Sequence, residues 1–304
     1  MIDKMERYDF SEYKFRASSF GDFMSGAKDI TDNQKKLIQD LSLKEKRTEK
    51  QQETLDDLIK KRDSIELSKG AKTLLRKLRI EIKYDRRREI ESPYLTKGIM
   101  LEEEAIDWLS VYHDTVFTNN KERREDDYFT GECDIEEGYD TKVAWTMNTL
   151  PDEEDPLKVI YEYQNRIYMR LWDKDSWTTS AIALSMIPSE IKRKIYSELW
   201  KWKGEDIPDW RKIEIIKMYV YDEEDFINAL KDNDISVDSN ADEKTVDMFM
   251  SFKEVPMNER IVEKTVTRDM DIESKMIEVV KLGRKYMQEI EDKKYEEYKK
   301  RLSL

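Results

Sequence analysis

Gly131-Glu132-Cys133-Asp134-Ile135-Glu136-Glu137-Gly138-Tyr139-Asp140-Thr141-Lys142 sets an acidic residue ahead of a tight turn and an Asp-x-Lys triplet after it. With Glu136 to Gly138 as the loop of a hairpin, Asp134 falls roughly opposite Asp140. Residues two apart in an extended strand share a face, so Asp140 and Lys142 point the same way. Two neighbouring carboxylates repel unless a hard divalent cation lies between them, and oxygen donors suit Mg²⁺ or Mn²⁺. A lysine beside such an ion can orient a water or neutralise charge at phosphorus. The cluster therefore suggests metal-dependent phosphodiester hydrolysis. Its plain alternative is a surface hairpin with an ordinary ion pair.

Working outward, 128–135 and 139–145 read as strands on either side of the turn, and 178–187 as a third. Residues 154–172 between them form an amphipathic helix rich in aromatics. Upstream, the pattern predicts a helix over 101–112, with Glu102, Glu103 and Glu104 on its acidic side and Ile106, Leu109 and Val111 facing inward. Pro93 breaks the pattern before it. Ser68 can cap another helix, whose apolar positions are Leu74, Leu75, Leu78 and Ile82. Residues 31–67 read as a polar helical hairpin with a thin apolar stripe, and a short helix precedes them around Phe20 to Ser25. The last third is mostly helical, with a loop over 231–243, a strand near 260–267 and a long charged helix from Ile272. Helices, strands, helix and strand in this order point to an α/β or α+β core. The division expected is an N-terminal helical region, 1–96, and a core, 97–304, within one compact unit.

The chain has 304 residues, 40% of them charged, and a net charge of −13. That balance argues against broad, passive nucleic-acid binding, so any such surface must be focused. A local excess of positive charge runs over 69–97, where Lys72, Arg76, Lys77, Arg79, Lys83, Arg86, Arg87 and Arg88 outnumber Glu81, Asp85, Glu89 and Glu91. Such a strip can hold a phosphate backbone; the alternative is a helix face laced with ion pairs. The single cysteine, Cys133, excludes an internal disulfide, a cysteine-rich zinc site and a protein-held iron–sulfur cluster. It also lacks a nearby histidine to make it a nucleophile. No apolar run approaches the ~20 residues of a membrane span, and the first residues lack an apolar signal core, so a reducing cytoplasm is expected. The lone His113 reads as structural. Trp200, Trp202 and Trp210 read as core or oligomer contact, with stacking on single-stranded bases as the alternative.

The order of these motifs resembles the PD-(D/E)XK nuclease superfamily, and within it the phage-type YqaJ-like and λ-exonuclease-like recombination nucleases. Asp134 stands at the Asp of the family's Pro-Asp, with Cys133 in place of the proline, and Asp140-Thr141-Lys142 at its (Asp/Glu)-x-Lys. Lys97-Gly98-Ile99-Met100-Leu101-Glu102 resembles the segment that places a helical glutamate over the site, by a Gly-x-x-x-Glu spacing that selects Glu102 over Glu103. Gln164-Asn165-Arg166-Ile167-Tyr168 matches the Gln-x-x-x-Tyr helix motif, and Arg16-Ala17-Ser18 the N-terminal element that contacts a terminal phosphate.

The resemblance implies a restriction-endonuclease-like core, a mixed central sheet flanked by helices, with a helical N-terminal elaboration. Glu102, Asp134, Asp140 and the Thr141 carbonyl would hold one or two Mg²⁺ (or Mn²⁺) ions, and Lys142 would position the water. Gln164 and Tyr168 would reach a phosphate or a metal-bound water, while Arg16, Ser18, Arg86, Arg87 and Arg88 would bind DNA. The task implied is exonucleolytic processing of duplex DNA ends for phage recombination in the cytoplasm of a bacterial host. A single-strand-annealing protein and a ring-shaped homo-oligomer are the partners such a role suggests. An endonuclease or single-strand nuclease of the same fold, and a binding module with a degenerate site, are the other readings.

Overall fold

Gly138 lies at φ +115°, a conformation open to glycine and strained for residues with a Cβ. This closes the turn: the amides of Gly138 and Tyr139 donate to the Ile135 carbonyl at 3.2 and 3.3 Å, and Ile135 and Tyr139 form one isolated antiparallel bridge. The hairpin goes no further. The upstream strand is short, β3 (Phe129–Gly131), and it pairs with β1 (Phe15–Arg16) in parallel and β2 (Arg124–Glu125) antiparallel. The downstream strand, β4 (Tyr139–Val143), belongs to a second sheet with β5 (Ser176–Ile182) and β6 (Ile261–Thr267). The mixed sheet is thus built as two three-stranded pieces that meet at the turn. The expected strand over 128–135 shortens because Glu132 to Asp134 leave the ladder to reach the bridge.

The computed structural model describes residues 6–24, 32–44, 46–63, 66–87, 92–203 and 206–302. β4 and β5 are parallel, with Asp140 beside Thr179 and Lys142 beside Ala181. A parallel pair needs a crossover, supplied by α7 (Val159–Trp172). That helix starts later than the aromatic pattern suggests, three residues after Pro156. β6 closes the sheet antiparallel to β5, with Ile182 opposite Ile261.

The N-terminal helices are α1 (Ala17–Met24), α2 (Asp32–Ser42), α3 (Glu49–Asp63) and α4 (Lys69–Tyr84). Ser68 caps α4 as predicted, its hydroxyl accepting from the Ala71 amide at 3.1 Å. Pro93 opens a helix, α5 (Pro93–Met100), because proline at the first position lacks only an N–H that would be unpaired anyway. α5 leads directly into α6 (Glu102–Tyr112). The last third holds α8 (Pro188–Tyr196), α9 (Asp209–Lys217), α10 (Glu223–Asp232) and α11 (Glu243–Met250), gathered round Ile191, Ile213, Ile216, Phe226 and Leu230. The final helix, α12 (Met270–Leu302), runs for 33 residues. No helix among the described residues is long and apolar enough to cross a membrane.

The main core joins both ends of the chain: Phe15 and Phe20 pack with Leu75, Phe129, Ile167, Trp177 and Val280. Glu291 on α12 is fully buried and pairs with both Arg79 and Lys83 on α4. Two cations of the basic strip are therefore used inside the molecule. The periodicity of α4 carried that signal, since Arg79 falls one turn after the buried Leu75.

α1 and α7 cross where Gly21 meets the start of α7: a Cβ on Gly21 would lie 2.4 Å from Ile160 Cα and 2.9 Å from the Val159 carbonyl oxygen. Both are backbone atoms, so only a shift of one helix could make room. Gly21→Ala is expected to destabilise the protein by about 1–3 kcal/mol, the usual scale of overpacking. Urea denaturation measures this, and an unchanged midpoint would show that the two helices separate freely.

Candidate active site

The turn and α6 meet at one end of a cleft of about 1070 Å³ whose lining includes Glu102, Asp134, Thr141 and Lys142. Glu102 is the first residue of α6; Glu103 is exposed and stands outside the lining. Asn119 Nδ2 donates to Glu102 Oε1 at 3.2 Å, and Lys121 Nζ lies 3.9 Å from the same oxygen. Asp134 is held through Oδ2, which accepts from the Thr141 amide at 2.7 Å and the Thr141 hydroxyl at 2.9 Å. The short connection between the two aspartates thus brings them to one place, with Thr141 as the link.

Asp140 is fully buried beneath the cleft. Among the described residues its Oδ2 faces only the Lys142 ammonium, and its Oδ1 lies 3.4 Å from Gln164 Nε2. Burial pushes its carboxyl up to about 7; Lys142 opposes this, while Asp134 and Glu102 add to it. For Lys142, burial works against the charged form, but the carboxylates of Asp140 and Asp134 outweigh it and hold the ammonium above its ordinary value. The side chain remains 26% exposed, so this cation is both paired and open to the cleft. Its ammonium also lies 5.5 Å from the centre of the Tyr161 ring.

The helix motif points inward. Gln164 Nε2 donates to the Tyr168 hydroxyl at 2.9 Å, and that hydroxyl donates to the Glu132 carbonyl at 2.8 Å. The pair shares a helical face, as its spacing requires, and it ties α7 to the segment carrying Asp134. Cys133 is 1% exposed, and its thiol is pushed up to about 12 by burial and then by Asp134 and Glu136. It is a core residue. His113 pairs with Glu263 at 3.1 Å.

The expected DNA contacts do not line the cleft. Arg16 and Ser18 are exposed at the end of β1 and the first turn of α1, outside the lining of the cleft. Arg86 and Arg87 are exposed just after α4, also outside it, and Arg88 falls outside the described residues. Sequence reasoning missed Asn119 and Lys121, which sit in an aperiodic polar loop with nothing local to mark them as partners of Glu102.

Every donor in the cluster is a hard oxygen, the chemistry that suits a small divalent cation. The buried Asp140 Oδ2, met only by an ammonium, fits the same demand for positive charge. Among the described residues no three carboxylate, histidine or cysteine side chains already close around one point.

A phage-related exonuclease from Haemophilus somnus 129PT superimposes with a TM-score of 0.56, at 19% identity, over 93% of this chain and 96% of that one. The two share a fold. The alkaline exonuclease LHK-Exo from Laribacter hongkongensis aligns at a TM-score of 0.44 and 9% identity, over 96% of this chain and 95% of that one. The same enzyme in complex with dAMP gives 0.47 and 9%, over 94% of each. No protein-family description and no curated protein matches by sequence.

Tyr168→Phe removes the hydroxyl between Gln164 and the Glu132 carbonyl and leaves both polar groups short of a partner. A loss of about 1–3 kcal/mol is expected for buried groups of this kind. Chemical denaturation measures it; full wild-type stability would mean that water or another group replaces the hydroxyl without cost.

Proposed function

We propose that this chain is a divalent-metal-dependent deoxyribonuclease that removes nucleotides from duplex DNA ends. The observation that carries the reading is the meeting of Glu102, Asp134, Thr141 and Lys142, from three separate elements, in one cleft above a buried Asp140. The likeness to a phage-related exonuclease supports it through the fold alone. Glu102, Asp134, Asp140 and the Thr141 carbonyl would hold Mg²⁺ or Mn²⁺. When bound, such an ion supplies Lewis acidity and lowers the pKa of a coordinated water.

The chain's own residues do the rest. Asp134, fixed by two hydrogen bonds from Thr141, presents a carboxylate of set orientation. Asp140 brings negative charge that burial makes costly and that a cation relieves. Lys142 keeps its proton at neutral pH and places a positive charge at the cleft, where it stabilises charge developing on a phosphoryl oxygen. Arg16 and Ser18 are assigned to the terminal phosphate and Arg86, Arg87 and Arg88 to the duplex backbone. A role in phage recombination, in the cytoplasm of a bacterial host and beside a single-strand-annealing protein, follows from the same reading, as does a ring of copies around DNA.

The test is Mg²⁺-dependent cleavage of a linear duplex compared with a covalently closed circle. Degradation of the linear form alone is expected, and equal cutting of the circle would favour an endonuclease. Asp134→Asn is expected to lower the rate by ~10²–10³ or more, the scale of a key electrostatic group, with thermal stability preserved; Lys142→Ala is expected to lower it as far and to lower stability too, because it leaves the buried Asp140 carboxylate unpaired. Near-normal rates in both variants would overturn the assignment.

Arg86→Gln with Arg87→Gln should weaken duplex binding and leave the cleavage rate at saturating DNA unchanged. The slope of log affinity against log salt should flatten by up to about 0.9 for each phosphate that the variant no longer neutralises. An unchanged slope would place the DNA on another surface.

A further inference from the structure

Lys97 is 1% exposed, one of the largest side chains the protein buries completely. Its ammonium donates to three carbonyls, Ala144 at 2.9 Å, Trp145 at 3.1 Å and Leu184 at 2.7 Å. An ammonium has three protons, so all of them are spent on backbone. Burial draws the group down to about 8, against the pull of Glu104. A buried cation with no carboxylate bonded to it is costly, and the three acceptors are what compensate it.

The location of those acceptors gives the lysine its meaning. Ala144 and Trp145 directly follow β4, the strand that carries Asp140, Thr141 and Lys142, and Leu184 lies two residues beyond β5. The strands part here: the Ala144 amide still reaches the Ile182 carbonyl, while the Thr146 amide turns to the Thr149 hydroxyl and the Met186 amide to the Tyr219 carbonyl. Carbonyls at such a parting lack ladder partners, and Lys97 fills the fork. On its own element Lys97 sits one turn before α6. The Leu101 amide donates to the Lys97 carbonyl at 3.0 Å, and the Ala105 amide to the Leu101 carbonyl at 2.9 Å. Glu102 therefore begins a helix whose preceding turn is bonded to the end of the strand that holds Asp140.

We infer that Lys97 is a positioning residue: its ammonium locks the start of α6 to the ends of β4 and β5 and so sets Glu102 against Asp134 and Asp140. It touches no substrate, because no proton remains to do so. Surrounding partners that orient metal-binding side chains typically matter by 10–100-fold in affinity or activity. The metal readout rests on the nuclease reading above; the structural readout does not.

The experiment uses the full chain with Lys97→Met, which keeps length and removes the donors, and Lys83→Met as the control. Lys83 is also a buried lysine, but its partners are Glu291 and the Glu6 carbonyl, away from the cleft. Calorimetric titration with Mn²⁺ alone is expected to show binding weakened by about 10–100-fold in Lys97→Met and unchanged in Lys83→Met. Hydrogen exchange at the Leu101 and Ala105 amides should quicken in Lys97→Met relative to the same control. Wild-type Mn²⁺ affinity in a folded Lys97→Met overturns the inference, as does equal exchange in both variants. If the wild type binds no Mn²⁺, the metal reading falls and hydrogen exchange alone decides the positioning role. Lys97→Gln, which keeps two donors, is measured the same way if Lys97→Met does not fold. Collapse of both variants overturns the inference by making Lys97 a requirement of the fold.

Discussion

A carboxylate with no access to water has to be compensated from within the protein, and Asp140 imposes that demand on everything around it. Lys142 answers it most directly, two residues along the same strand and on the same face. Gln164 approaches the other oxygen from α7, the crossover helix that the parallel pairing of β4 and β5 requires. Tyr168, one turn on, carries the same network to the Glu132 carbonyl and so to the segment that ends in Asp134. Burial, ion pair and crossover are one arrangement, and the cleft opens above it.

The rest of the molecule keeps that arrangement in place from a distance. β1 pairs with β3 beside the turn, and Gly21 lets α1 close on the backbone of α7. α12 returns at the end of the chain to pack on the first strand and on α4, where Glu291 takes up Arg79 and Lys83. A buried ion triad of this kind adds little net stability over apolar packing, but it strongly penalises any arrangement that leaves one member unpaired. α1 and α4 are thereby joined to the same core as the sheet, while α2 and α3 pack on each other round Ile38, Leu41 and Leu55.

Charge in this protein is therefore sorted by place more than by amount. With a net charge of −13, a phosphate-rich partner is repelled overall. Positive charge at the cleft comes from Lys142 and Lys158, both near the Tyr161 ring. Also in the lining, Tyr94 packs against Trp145 with ring centres 4.6 Å apart. Another lysine, Lys264, donates to the carbonyls of Asp152 and Glu153 and shapes the loop that borders the cleft. Around the cleft, then, Lys97 and Lys264 organise backbone, while Lys142 serves both the Asp140 carboxylate and the Thr141 carbonyl.

How much was legible in the sequence depended on whether the signal was local. The turn at Glu136–Gly138, the helix opening at Glu102, the strand near 261–267 and the long last helix follow from spacing, propensity and capping, which operate within a few residues. The association of Asp134, Asp140 and Lys142 was readable for the same reason, since only a turn separates them. Partners distant along the chain were not readable. Nothing near Asn119 announces Glu102, nothing near Arg79 announces Glu291, and Gln164 and Tyr168 gave their shared face but not the direction in which it points. The split of the sheet was equally hidden, because the strand before the turn needed β1, more than a hundred residues away, to show where its ladder ends. By itself the sequence determined which groups could do chemistry and which short elements carry them. Only tertiary structure decided which of those groups are buried, which are paired and which face the cleft, because burial and pairing are properties of contacts between distant segments.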